Sequence, residues 1–66
     1  MKIIVNGEER EAPADISVSE YVVTLGFDPE TVVVELDGQI LKRADYAEHR
    51  LTNGSELELI RFIGGG

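Results

Sequence analysis

The sequence predicts an α+β fold in which one helix lies across one face of a mixed sheet of four or five strands. Three observations carry that expectation. One stretch, from Ser17 to Gly26, has apolar residues at helical spacing between a start signal and a stop signal. Short runs rich in β-branched residues, or alternating apolar with acidic, flank it on both sides. Two dipeptides, Asn6-Gly7 and Asp37-Gly38, sit where hairpins would turn. The chain has 66 residues, of which 42% are apolar. That is enough for one small folded domain and too much for a disordered tract.

In order, Lys2 to Val5 read as a strand, Asn6-Gly7 turns it, and Glu8 to Ala12 return as a charged edge strand that Pro13 ends. Ser17 is placed as an N-cap, and Glu20 three residues on completes a capping box. Ile16 and Tyr21 are spaced for the hydrophobic staple. Val18, Tyr21, Val22 and Leu25 form one helical face, and Gly26 supplies the left-handed residue after the helix. Phe27 can then fold back on Val22, and Pro29 confirms the stop. The interior, Val22-Val23-Thr24, is poor helix material, so packing on a sheet must hold it.

Thr31 to Leu36 form a strand with Val32, Val34 and Leu36 on one face and Val33 and Glu35 on the other. After Asp37-Gly38, Gln39 to Leu41 make a short return. Residues 43–50 give no clean signal; Ala44, Tyr46 and Ala47 suggest a helical turn, and Asn53-Gly54 marks its far limit. The last strand, Glu56 to Ile63, sets Glu56 and Glu58 against Leu57 and Leu59. Its first and last strands are both apolar, fit the sheet centre and run parallel there. That arrangement is a β-grasp, the ubiquitin-like fold.

Thirteen acidic residues against six basic ones give a net charge of −7. This argues against nucleic acid, which demands clustered cations, and for a basic partner surface or plain solubility. With no cysteine and a single histidine, His49, there is no thiolate nucleophile and no set of soft ligands for a transition metal. His49 reads as a solvated loop residue, and Asp45, Glu48 and His49 as one polar turn rather than an acid–base set. Tyr21 and Tyr46 read as core or lid residues. The apolar start, Met1 to Asn6, is too short for a signal peptide or membrane span, so a cytoplasmic protein is expected.

The chain ends Ile60-Arg61-Phe62-Ile63-Gly64-Gly65-Gly66. A domain of residues 1–63 thus carries a glycine tail, 64–66, expected to be disordered in the free protein and tipped by a carboxylate. Without Cβ atoms such a tail can thread a channel that side chains would block. Taken alone it is also what a frayed end or an expression scar looks like. If Leu57 and Leu59 face the helix, strict alternation turns Arg61 inward and Ile60 and Phe62 outward as an apolar docking patch; a bulge would instead return one of them to the core. Glu58 and Glu35 belong to the same outer face, as steering charges or as ordinary solvated ones.

The stretches Ile3 to Glu8, Val34 to Leu41, Arg43 to Tyr46 and Leu51 to Gly54, with Gly64-Gly65-Gly66, give the chain a resemblance to the ThiS-type sulfur carriers of thiamin biosynthesis over essentially its whole length. The family commonly has Asn-Gly at Asp37-Gly38, proline at Lys42, tryptophan at Tyr46 and aspartate at Ser55; none of these departures touches the terminus. The resemblance implies a β-grasp fold and a protein that is not itself an enzyme. It implies that Gly66 is adenylated with ATP by an E1-like partner of ThiF type and converted to a thiocarboxylate, with Gly64 and Gly65 threading the partner's channel. It further implies sulfur supplied ultimately by a cysteine desulfurase and passed to a thiazole synthase of ThiG type, with no cofactor bound by the carrier. Rival readings are a carrier of another pathway (molybdopterin synthase small subunit, cysteine or tRNA thiolation) and a non-covalent ubiquitin-like interaction module.

Overall fold

A computed structural model describes residues 1–61. The expectations for Phe62, Ile63 and the glycine tail lie outside these residues. Five strands form one sheet in the order β2-β1-β5-β3-β4: β1 Lys2–Val5, β2 Glu8–Glu11, β3 Val32–Leu36, β4 Gln39–Ile40 and β5 Glu56–Arg61. β1 and β5 run parallel, and the other pairings are antiparallel. This is the β-grasp arrangement expected, with β1 and β5 inside the sheet. The helix α1, Val18–Thr24, buries Val18, Tyr21 and Val22 against it.

Both hairpins turn as their dipeptides predict. Asn6 and Asp37 hold φ of 50°, followed by Gly7 and Gly38 at 83° and 85°. Two left-handed residues in succession give the turn whose twist matches the flanking strands. The side chains then extend the ladders: Asn6 Oδ1 accepts from Leu59 N–H at 2.8 Å and Asp37 Oδ1 from Glu56 N–H at 3.0 Å. Strand bounds are shorter than periodicity suggests. β2 ends at Glu11, although buried Ala12 beyond it still exchanges two backbone bonds with Met1, its N–H donating to Met1 O and its O accepting from the Met1 ammonium. β3 begins at Val32, since Thr31 N–H turns back to Asp28 O, and β4 stops at Ile40.

The helix ends are built as read. Ser17 accepts from Glu20 N–H at 3.1 Å while Ser17 N–H donates to Glu20 Oε1 at 3.0 Å, a complete capping box. At the other end Gly26 has φ of 90°, Phe27 N–H reaches Val22 O and Gly26 N–H reaches Val23 O. This is the Schellman pattern. The segment 43–50, opaque in sequence, proves to be the seat of the helix. After a 3-10 turn at Arg43–Asp45, the carbonyls of Tyr46 and His49 accept from Ser19 and Val18 N–H. Two donors that every helix start leaves unpaired are thereby satisfied. A seven-residue helix of such poor propensity needs that seat.

Ser17→Ala is expected to lower stability by about 1 kcal/mol, measurable by urea denaturation. Glu20 is held below its ordinary value of 4.5, first by its bond from Ser17 N–H, then by the Ser17 hydroxyl, with Arg50 a lesser cause. A depressed carboxylate contributes stability that is full above its unfolded value and is lost as pH falls through its folded one. The advantage of the native chain over Glu20→Gln should therefore hold at neutral pH and shrink on acidification below 4.5. A difference that stayed constant to pH 2 would assign the effect to something other than ionisation.

Candidate functional site at the open sheet face and the end of β5

The helix covers one face of the sheet, and side chains alternate, so the other face stays open. Ile3, Val5, Val32, Val34 and Leu57 point into the core and are buried. The register places Glu35 directly opposite Glu58 and Val33 directly opposite Ile60 on the open face. Ile60 is 44% exposed. The pairing from Leu57 to Arg61 runs residue for residue with β3, so no bulge interrupts β5. Alternation therefore continues to the end of the strand: Arg61 takes the helix side and Ile60 the open side. Phe62 lies outside the described residues.

Ile4, Glu35, Asp37, Glu56 and Glu58 line an open concavity of about 370 Å³ on this face. Its charge is unbalanced. Lys2 pairs with Glu9 at 3.6 Å at the margin, while Arg43 and Arg50 are engaged with Glu30, Asp15 and Glu20 elsewhere. Among the described residues no ion pair reaches Glu35, Glu56 or Glu58. Acids on an open sheet face with nearby aliphatics suit a partner that is basic around an apolar centre.

Among the described residues the open face gathers no catalytic set. His49 is exposed in the loop, bonded through its backbone to Asp45 and Val18. Among the described residues no group of three or more His, Asp or Glu is arranged to hold a metal. No helix among them is long and apolar enough to cross a membrane. Tyr46 is buried, as read, but its hydroxyl has a role that periodicity does not show: it accepts from Val34 N–H at 3.1 Å and donates to Val32 O at 3.0 Å. Sequence reasoning also missed the contact of Arg61 with Phe27, whose ring centroid lies 5.4 Å from the guanidinium carbon. The available signal was only half of it, the inward Arg61 that strict alternation predicts.

Fold and open face together define a β-grasp domain of the ubiquitin-like kind. The ThiS family model matches residues 3–66, and the chain belongs to that family. Members of that family are small sulfur carriers rather than catalysts. It is similar to the crystal structure of the thiamine biosynthesis protein ThiS from Geobacter metallireducens, with TM-score 0.85, 30% identity and full coverage of both chains. An NMR structure of a thiamine biosynthesis protein from the same organism matches with TM-score 0.83 and 30% identity, over all of this chain and 88% of that one. Two thiazole synthases, from Paramagnetospirillum magneticum and Magnetococcus marinus, are 39% and 38% identical over all 66 residues. The chain spans 20% of the length of these two relatives.

Proposed function

We propose that this chain carries sulfur as a thiocarboxylate on Gly66 and delivers it for thiazole formation in thiamin biosynthesis, in the cytoplasm. The observation that carries the reading is the family match, which runs through the whole domain and on to Gly66. The similarity to thiazole synthases supports a ThiG-type acceptor over the other sulfur-transfer pathways.

A carboxylate resists nucleophilic attack because resonance and negative charge oppose it. In the proposed cycle an E1-like partner of ThiF type lets a Gly66 oxygen attack the α-phosphate of ATP, with pyrophosphate leaving. The outer sulfur of a persulfide, supplied ultimately by a cysteine desulfurase, then attacks the acyl carbon and displaces AMP to give an acyl disulfide. A thiol reductant such as excess cysteine cleaves its S–S bond to leave the thiocarboxylate and a disulfide. The catalytic groups belong to the partner's site. Gly64 and Gly65 present no Cβ to the channel that admits them, and the carrier itself binds no cofactor. Docking falls to the open face, with Ile60 as an apolar contact and Glu58 and Glu35 as steering charges, joined by Phe62 as the alternation of the sequence predicts.

The test is the intact mass of the chain after incubation with ATP, the adenylating partner and a desulfurase supplied with cysteine. The expected result is a gain equal to sulfur replacing one oxygen, localised to Gly66, absent without ATP and absent when Gly65 and Gly66 are deleted. No gain, with the partner proven active on its own carrier, would overturn the reading in favour of a non-covalent module.

A further inference from the structure

We propose that Arg61 and Phe27 form a clasp that fixes the direction in which the chain leaves β5, so that Arg61 is a positioning residue for activation of the terminus; this rests on the carrier reading above. The ladder explains why a clasp is needed. Parallel pairing of β1 with β5 ends at Val5 and Leu57, and the Asn6 side chain carries it one bond further, to Leu59 N–H. Among the described residues Ile60 and Arg61 are therefore flanked by β3 alone. β3 gives out at the same level: Val32 opposite Arg61 is its first residue, and Thr31 N–H is already turned to Asp28 O. At Ile60 and Arg61, then, a single described strand holds β5, and that strand is at its own first residue.

The clasp supplies the missing second support from the helix layer. Leu57 and Leu59 enter the core, and Arg61 follows on the same side, with its guanidinium 5.4 Å from the Phe27 ring centroid. That is inside the range in which a cation is held by a ring face. Phe27 is a fixed anchor: its N–H bonds Val22 O and its half-buried ring packs on the core. No ion pair among the described residues competes for Arg61. The last described rung of β5 is thus tied to the sheet through Val32 and to the helix end through Phe27. Ile60, on the opposite face, stays exposed for docking.

A contact of this kind at a partly exposed site biases its closed state by about two- to fivefold. The experiment is a double-mutant cycle on the full chain, reading the loading rate with ATP and the adenylating partner. Arg61→Ala and Phe27→Leu are each expected to lower kcat about two- to fivefold. KM should not change, because the docking face is intact, and the double variant should lose no more than either single one. Phe27→Tyr keeps the ring and should load normally, and thermal melts verify that each variant is folded. Additive losses, a loss confined to KM, a loss with Arg61→Ala but not Phe27→Leu, or no loss would each overturn the clasp. Failure of the native chain to load would overturn the carrier reading and the clasp's role with it, so the two failures are told apart by that control.

Discussion

Tyr46→Phe is expected to lower the unfolding free energy by about 1–3 kcal/mol, although it removes one oxygen and leaves the core volume unchanged. β4 is only two residues long; Leu41 N–H just beyond it still bonds Val34 O, but from Val34 N–H back to Val32 the edge of β3 has no strand beside it. The Tyr46 hydroxyl stands in for that strand, accepting from Val34 N–H and donating to Val32 O. Val32 O has a second donor in Arg43 Nη2 at 3.2 Å, whereas Tyr46 Oη is the bond that holds Val34 N–H. With Phe, that N–H is left buried and unpaired, the costly side of hydrogen-bond loss. Arg43→Ala should cost less, because Val32 O keeps its tyrosine. A core this small supplies only about 3–5 kcal/mol in total, so Tyr46→Phe should remove a large part of it. Each kcal/mol lowers the melting temperature by about 4–8 °C, and a melt with parallel urea titration checks the value. A loss below about 0.5 kcal/mol would show that Val34 N–H finds another acceptor once the hydroxyl is gone.

That residue also marks the limit of what was legible in the sequence. Elements whose determinants are local were readable: the capping box at Ser17 and Glu20, the left-handed Gly26, the two hairpin dipeptides and the alternation of β5 all depend on neighbours within a few positions. The segment 43–50 was not, because its role is to receive bonds from elsewhere. Its carbonyls seat α1 and its tyrosine seals β3, and no periodic pattern records a partner twelve residues away. The ThiS pattern commonly places tryptophan at this position, whose indole can donate but not accept, so the resemblance did not announce the hydroxyl either. The outward turn of Ile60 followed from strict alternation, and its competitor, a bulge, is excluded by the unbroken register to Arg61. The alternation of β5 signalled an inward Arg61, but its contact with Phe27 was not legible, since the two meet only when the helix end is laid over the sheet.

Glu35→Lys is expected to make the protein more stable and a poorer carrier at once. Glu35 and Glu58 face each other across β3 and β5, and like charges in that position are unfavourable while opposite charges contribute about 0.2–1 kcal/mol. Reversing one of them replaces repulsion by attraction, so the unfolding free energy should rise by about 0.5–1 kcal/mol. A chain selected for stability alone would have no reason to keep two acids there, with Glu56 and Asp37 lining the same concavity. In the proposed function a basic partner supplies the reason. Acids on the approach face raise the encounter rate, and the effect fades as salt screens it. Association of Glu35→Lys with the adenylating partner of the proposed cycle should therefore slow by about tenfold at low ionic strength. The deficit should narrow in high salt, while dissociation changes little. Glu35→Gln should fall between the two in both stability and rate. Stopped-flow association across a salt series, set beside denaturation of the same variants, separates the possibilities. Higher stability with unchanged association would leave the acidic pair as a mere cost to the fold, whereas opposite movement of the two quantities ties that cost to docking.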